Sequence, residues 1–154
     1  MNIRLAGPDD ADTILALLHE LAAFEAGTVT ATAADLAQAL RAGQLEALLA
    51  FDGDQAIGLL SLLPSYSSWR GQAGAVIHDL YVRPAARRLG SGKALVQAAF
   101  ALARHRHWHR LDVNVLDWNQ AAQHFYASLG LAPLAEWRIW RIEGEALEIP
   151  PRVQ

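Results

Sequence analysis

Apolar positions recur along this chain in two periods, one helical and one of strands. Residues 2–6 alternate well enough for a short strand, and Gly7-Pro8-Asp9-Asp10 then sets a proline and two acids where a helix begins. Ile14, Leu17, Leu18, Leu21 and Phe24 follow at helical spacing and predict one buried stripe, with Gly27 as the stop. Thr32 is placed to cap a second helix that runs to about Arg41. Residues 45–51 and 55–63 read as strands joined through Asp52-Gly53, a strong hairpin signal. Residues 64–71 read as a loop. The apolar run 75–82 suits a strand buried on both faces, yet His78 and Asp79 stand in its middle. Burying either without a partner costs roughly 1 to 3 kcal/mol, so each needs a structural partner or a chemical role. Pro84 ends that strand. Ala94, Leu95, Ala98, Ala99 and Leu102 predict a third helix, and residues 111–116 a further strand. Asn119 caps a fourth helix over 120–129, with Ala122, Phe125, Tyr126 and Leu129 on its inner face and Gly130 as its stop. Residues 136–142 read as a last strand and Ile149-Pro150-Pro151 as a tail. The order β-α-α-β-β-β-α-β-α-β predicts an α/β fold, a mixed central sheet with helices on both faces, in a single domain over 1–154.

Composition narrows the function. The chain is 53% hydrophobic, but no apolar stretch is long and unbroken enough to span a membrane. Asp9, Asp10 and Asp12 fall where a signal peptide needs its apolar segment. With no cysteine, a disulfide framework and a cysteine acyl-enzyme are both excluded. A formal charge of −3 argues against general nucleic-acid binding. These features predict a soluble cytoplasmic protein. In the stretch 104–110, RHRHWHR, His105, His107 and His109 alternate as metal ligands on a strand do. The stretch straddles a helix end, however, where the dipole favours cations, so it reads as a solvated basic turn and no metal is expected.

The most informative chemistry follows the run 75–82. Arg87-Arg88-Leu89-Gly90-Ser91-Gly92-Lys93 is a glycine-rich turn opening a helix. Such a turn offers free backbone N–H groups and the positive end of the helix dipole, which suits phosphate. It is not a Walker loop, which needs glycine at 87 and Ser or Thr at 94, where Arg87 and Ala94 stand. Nor is it a dinucleotide fingerprint, since Leu95 occupies the third glycine position. What remains is R-x-x-G-x-G between a strand and a helix.

That pattern resembles the acyl-coenzyme A loop of the GNAT superfamily of N-acetyltransferases. One strand downstream, Asn119-Gln-Ala-Ala122-Gln-His-Phe125-Tyr126-Ala-Ser-Leu-Gly130 is similar to the second signature of that superfamily, N-x-x-A-x-x-F-Y-x-x-x-G. Leu21-Ala-Ala-Phe-Glu25, Tyr66-Ser-Ser-Trp69, Ile77-His-Asp-Leu-Tyr-Val82, Trp118-Asn119 and Trp137-Arg138 further resemble the spermidine/spermine branch, which includes diamine and thialysine acetyltransferases. The resemblance implies a GNAT fold whose sheet is splayed at the cofactor site, acetyl-coenzyme A as cosubstrate, and a homodimer. It implies that Arg87, Arg88, Leu89, Gly90, Ser91, Gly92 and Lys93 hold the pyrophosphate. Leu80, Tyr81 and Val82 would line the pantetheine arm, and Asn119 and Phe125 would complete the cofactor site. Tyr126 would face the thioester sulfur, and Glu25 would bind the acceptor. Two positions depart from the branch. His78 stands where a glutamate is usual, and Ala-Gly-Thr-Val after Glu25 lacks further acids.

The residue types suit transfer to an amine. An aliphatic ammonium, with a pKa of about 10, must lose a proton before it attacks. His78, a side chain that ordinarily titrates near about 6.5, is the candidate base, with a satisfied core histidine as the structural alternative. Tyr126 is the candidate donor to the departing thiolate. Ordinary pKa values of about 10 and about 8.5 make full proton transfer uphill, so a hydrogen bond is its expected part. Glu25, with Tyr66, Trp69 and Trp118, would take a cation and stack its carbon chain. The expected acceptor is a small diamine, polyamine or lysine-like amino acid. A protein or peptide amine, and a coenzyme A-binding sensor without turnover, remain open alternatives.

Overall fold

The computed structural model describes residues 1–148, so Ile149-Pro150-Pro151 lies outside the described residues. The chain forms two compact units, the first Met1–Leu116 and the second beginning at Asp117.

In the first unit five strands lie in sequence order: β1 (Asn2–Leu5), β2 (Glu46–Asp52), β3 (Gln55–Ser67), β4 (Gln72–Val82) and β5 (Leu111–Val113). The first four are antiparallel and β5 runs parallel to β4, with α3 (Ser91–His105) as the crossover. Alternation along β2 divides the core. Ala47 and Leu49 join Leu59 and Tyr81 beneath α1 (Ala11–Glu25), through Ile14, Leu17 and Leu21, and α2 (Ala33–Arg41), through Leu36. Leu48 and Ala50 turn to the other face, where Leu95, Val96, Ala99 and Ala103 of α3 are buried. Gly58 permits that packing, because a Cβ there would stand 3.1 Å from both Leu95 Cδ1 and the Tyr81 carbonyl oxygen.

Local signals in the sequence take the expected forms. Thr32 accepts from the Asp35 N–H while the Asp35 carboxylate accepts from the Thr32 N–H, a reciprocal cap at the start of α2. Asp52 and Gln55 close the β2–β3 hairpin. At the end of α1 the left-handed residue is Ala26 (φ 54°) rather than Gly27.

Three boundaries differ from expectation. Residues 64–67 are strand, not loop: β3 continues through Pro64, paired with Ala75, to Ser67, paired with Gln72. Proline is tolerated there because β2 stops at Glu46↔Leu62 and no ladder on that side needs its missing N–H. The strand expected over 111–116 ends at Val113. In the second unit α4 (Gln120–Ser128) forms as expected, with Asn119 Oδ1 accepting from the Ala122 N–H at 3.1 Å and Gly130 at φ 93°. Residues 136–142, expected as a last strand, lie in no ladder, and Trp137, Ile139, Trp140 and Ile142 are exposed. A strand exists through its ladder partner, and none pairs with this segment among the described residues.

Candidate active site

The register between β3 and β4 slips at one point. Ser61 pairs with Asp79 and Leu62 with Ile77, which leaves His78 as the extra residue of a β-bulge. The bulge explains how a polar residue sits in an apolar run: His78 is not buried, its side chain being 54% exposed. Asp79 points into the sheet beside Ser61, which is 2% exposed. The Ser61 hydroxyl donates to Asp79 Oδ2 and accepts from the Asp79 N–H at 3.1 Å. His78 Nδ1 lies 3.1 Å from the same Oδ2. Burial is the largest influence on the Asp79 carboxyl and favours its neutral form. The hydrogen bonds of His78 and Ser61, with the His78 charge, outweigh it and hold the pKa below the usual aspartate value.

Beyond the bulge, β4 loses its neighbour. β5 pairs only with Ala75, Val76 and Ile77, while β4 runs on to Val82. Among the described residues no strand pairs with Asp79–Val82 on the β5 side, where the strand N–H and C=O groups suit a strand-like ligand arm.

The open edge leads into the glycine-rich turn. Arg83 anchors its start: Nε lies 3.1 Å from both Glu20 carboxylate oxygens, one Nη donates to Glu20 Oε1 at 2.7 Å, and the other donates to the Ala56 carbonyl at 2.8 Å. After the short 3-10 turn Pro84–Ala86, Arg87 donates through Nε to the Val82 carbonyl at 2.8 Å. Its guanidinium lies 5.5 Å from the Phe24 ring centroid and 5.8 Å from that of Tyr81. Arg88 is left-handed (φ 66°), and so is Gly90 (φ 81°), the residue that caps α3. A side chain at Gly90 would meet open space but would strain the backbone. Ser91 is buried and donates to the Ala86 carbonyl at 3.2 Å, closing the turn. Arg87, Arg88, Leu89, Gly90 and Lys93 are exposed around the start of α3, whose first N–H groups have no helical acceptor. This donor set fits a pyrophosphate, and the open β4 edge fits an amide-bearing arm.

In the second unit Tyr126 is buried at 8% exposure and meets Phe125 edge-on, with ring centroids 5.2 Å apart. Asn119 caps α4, as above, and Trp118 beside it is exposed.

The expected acceptor residues are not gathered into one cluster in the first unit. Glu25 is exposed at the C-terminal end of α1, next to Phe24, whose ring lies against Arg87. Tyr66 pairs with Ala73, and Trp69, 99% exposed, tips the β3–β4 hairpin. The eight residue steps of β4 from Ala73 to Tyr81 set these two ends roughly 25 Å apart. The basic stretch is partly structural: Arg106 pairs with Glu46, and His109 Nδ1 lies 2.9 Å from the Ala73 carbonyl. No group of three or more His, Asp or Glu among the described residues is placed to hold a metal ion. A concavity of about 310 Å³ lies behind the turn, lined by Met1, Asp52, Ile57, Arg83, Leu89 and Ser91. None of its lining residues comes from the edge 78–82.

Asp79 and Ser61 are the residues that sequence reasoning did not assign to the site. The only signal was the polar pair in an apolar run; Ser61 itself sits unremarked in a hydrophobic strand.

The family model of the Acetyltransferase (GNAT) family matches residues 14–131, and the chain belongs to that family of acyltransferases. A thialysine N-epsilon-acetyltransferase of Caenorhabditis elegans is 33% identical over 145 residues, covering 91% of this chain and 90% of that protein. An L-ornithine N5-acetyltransferase of Arabidopsis thaliana is 35% identical over 91 residues, 59% of this chain and 40% of that protein. Among solved structures, a probable acetyltransferase shares the fold with a TM-score of 0.82 and 26% identity, over 93% of this chain and 97% of that one.

Proposed function

We propose that this N-acetyltransferase uses acetyl-coenzyme A to acetylate a primary amine of a small molecule, a diamine, polyamine or lysine-like amino acid, by direct attack and without an acyl-enzyme. The observation that carries the reading is the open β4 edge, which runs from the exposed His78 to the glycine-capped start of α3. The N–H groups of 88–93, with Arg87, Arg88 and Lys93, would hold the pyrophosphate. The backbone of Leu80, Tyr81 and Val82 would hold the pantetheine arm, and the resemblance to the family assigns Asn119 and Phe125 to the same cofactor. Bound there, the cosubstrate supplies an acetyl group activated as a thioester. His78 takes the proton of the incoming ammonium, and Tyr126 hydrogen-bonds the departing thiol. The family match runs through both units, which supports reading 1–154 as one acetyltransferase domain.

For the acceptor, support comes from the two relatives named for thialysine and L-ornithine, amino acids that carry a side-chain amine. Glu25 is the proposed partner of the acceptor's second charge, with Trp118, Tyr66 and Trp69 as aromatic contacts. Tyr66 and Trp69 stand at the far end of β4 from Glu25, so they reach an acceptor held by Glu25 only if a second copy supplies them. The reading therefore includes a homodimer, and the exposed Trp137, Ile139, Trp140 and Ile142 give apolar surface for it. A thiol-release screen across small amines, amino acids and peptides tests the whole. Turnover of diamines or lysine-like amino acids is expected. Turnover of peptides alone, or binding of acetyl-coenzyme A with no thiol released from any amine, would refute it. A monomeric mass by light scattering would remove the dimer.

A further inference from the structure

Within the proposed reaction, and resting on it, we infer that Asp79, anchored by Ser61, is a positioning residue for His78: it fixes the imidazole as the tautomer protonated at Nδ1, so that Nε2 accepts the proton of the ammonium. The geometry comes from two strands. Ser61 and Asp79 face each other in the register, and the buried Ser61 hydroxyl grips Asp79 through both its N–H and its Oδ2. The carboxylate is thereby held in one rotamer at the foot of the bulge, with Oδ2 within 3.1 Å of His78 Nδ1. An ionised carboxylate only accepts hydrogen bonds, so the proton in that contact belongs to Nδ1 and the lone pair of the neutral ring to Nε2. The depressed pKa of Asp79 agrees with an ionised group. In the step itself a proton passes from the ammonium nitrogen to Nε2. The amine nitrogen keeps the electron pair that then bonds to the acetyl carbon, while the carbon–sulfur bond of the thioester breaks; the sulfur would leave with that bond's pair and take up the second proton that the nitrogen sheds. The imidazolium rests against the Asp79 carboxylate until it returns its proton to water. Ser61 thus acts two residues away from the reacting atoms, and nothing in this scheme requires the serine to be a nucleophile.

The test combines a spectroscopic and a kinetic readout on the full chain. Long-range proton–nitrogen spectra of 15N-histidine protein, taken at about pH 8.5 where an ordinary imidazole is neutral, report each tautomer, and His78→Gln assigns the His78 signals. Wild-type His78 is expected as the Nδ1–H form. In Asp79→Asn it should shift toward the Nε2–H form that free imidazole favours, and kcat should fall by roughly 10- to 100-fold. KM for the amine and affinity for acetyl-coenzyme A should stay within about twofold, the split expected when only a proton-transfer group is disturbed. Asp79→Glu should recover part of kcat, and Ser61→Ala should lie between wild type and Asp79→Asn. Circular dichroism checks that each variant is folded. If Asp79→Asn does not fold, the wild-type tautomer and Ser61→Ala decide. A wild-type Nε2–H tautomer, or an Asp79→Asn enzyme that loses KM rather than kcat, overturns the inference even if amines are acetylated. Absence of turnover with any amine refutes the proposed reaction instead, and the tautomer alone then decides whether Asp79 orients His78.

Discussion

Arg83→Met, which removes the clamp between α1 and the start of the glycine-rich turn, allows a worked test. Arg83 makes a forked contact with Glu20 and a further bond to the Ala56 carbonyl, with side chains 29% and 36% exposed for Arg83 and Glu20. Hydrogen bonds to charged groups contribute about 1.5–3 kcal/mol when sheltered, and exposed ion pairs about 0.2–1 kcal/mol. Discounted for solvent screening, a partly exposed fork belongs between these ranges, at about 1–2 kcal/mol. In a domain of this size that lowers Tm by about 2–8 °C. The pH dependence has a defined sign. The Arg83 hydrogen bond is the main cause that holds the Glu20 pKa below the usual glutamate value, against burial and with help from the Tyr81 hydroxyl. The folded carboxyl therefore binds its proton less readily than the unfolded one. Its contribution is fully present above the unfolded value of about 4.3 and is lost as pH falls through the folded one. Urea unfolding of wild type, Arg83→Met, Glu20→Gln and the double variant, at neutral and acid pH and at two salt concentrations, measures the coupling. A coupling of about 1 kcal/mol is expected at neutral pH, shrinking in acid. A coupling below about 0.3 kcal/mol, or one unchanged in acid, would refute the reasoning.

Arg87→Ala and Gly90→Asp should each weaken acetyl-coenzyme A at least tenfold by calorimetry, while pantetheine lacking phosphate is little affected. Gly90→Asn, which tolerates the left-handed backbone without adding charge, should fall between wild type and Gly90→Asp. Tyr126→Phe should lower kcat by roughly 10- to 1000-fold with acetyl-coenzyme A affinity nearly unchanged; an unaltered kcat would return Tyr126 to the core. Glu25→Gln should raise KM for a diamine and spare a monoamine of equal length, because only the diamine loses its charge partner. Equal loss for both would make Glu25 structural.

What the sequence disclosed follows the range of the interactions involved. The Thr32 and Asn119 caps, the Asp52-Gly53 hairpin and the glycine-rich turn that opens α3 depend on neighbours within a few residues, and a single chain of letters contains them. The bulge does not. Whether His78 faces core or solvent is set by the slip between Ser61↔Asp79 and Leu62↔Ile77, a relation across strands that alternation along β4 alone misreads as burial. Residues 64–67 were hidden by Pro64, whose cost depends on how far β2 reaches. Residues 136–142 have a strand's pattern without a strand's ladder, since pattern reports a preference and pairing needs a partner. The acceptor residues share a likeness to one enzyme branch, but likeness carries no distance, and β4 separates Tyr66 from Glu25.

Because the proposed base lies on β4 and the proposed phosphate-binding turn follows the end of that strand, β4 acts as a ruler between them. Four residue steps from His78 to Val82 span about 13 Å of extended backbone. Both ends are fixed: Ser61 grips one through Asp79, and Glu20 grips the other through Arg83. On the proposed reading, a donor whose diphosphate sat in the turn would have its reactive carbon delivered at one set distance, which a shorter or longer arm would miss. On that reading, specificity for the donor's arm would be metric rather than chemical. A residue inserted between Asp79 and Val82 would change that spacing by about 3.3 Å and invert the side chains beyond it. Such a variant should keep its affinity for free diphosphate while losing the register between donor and base.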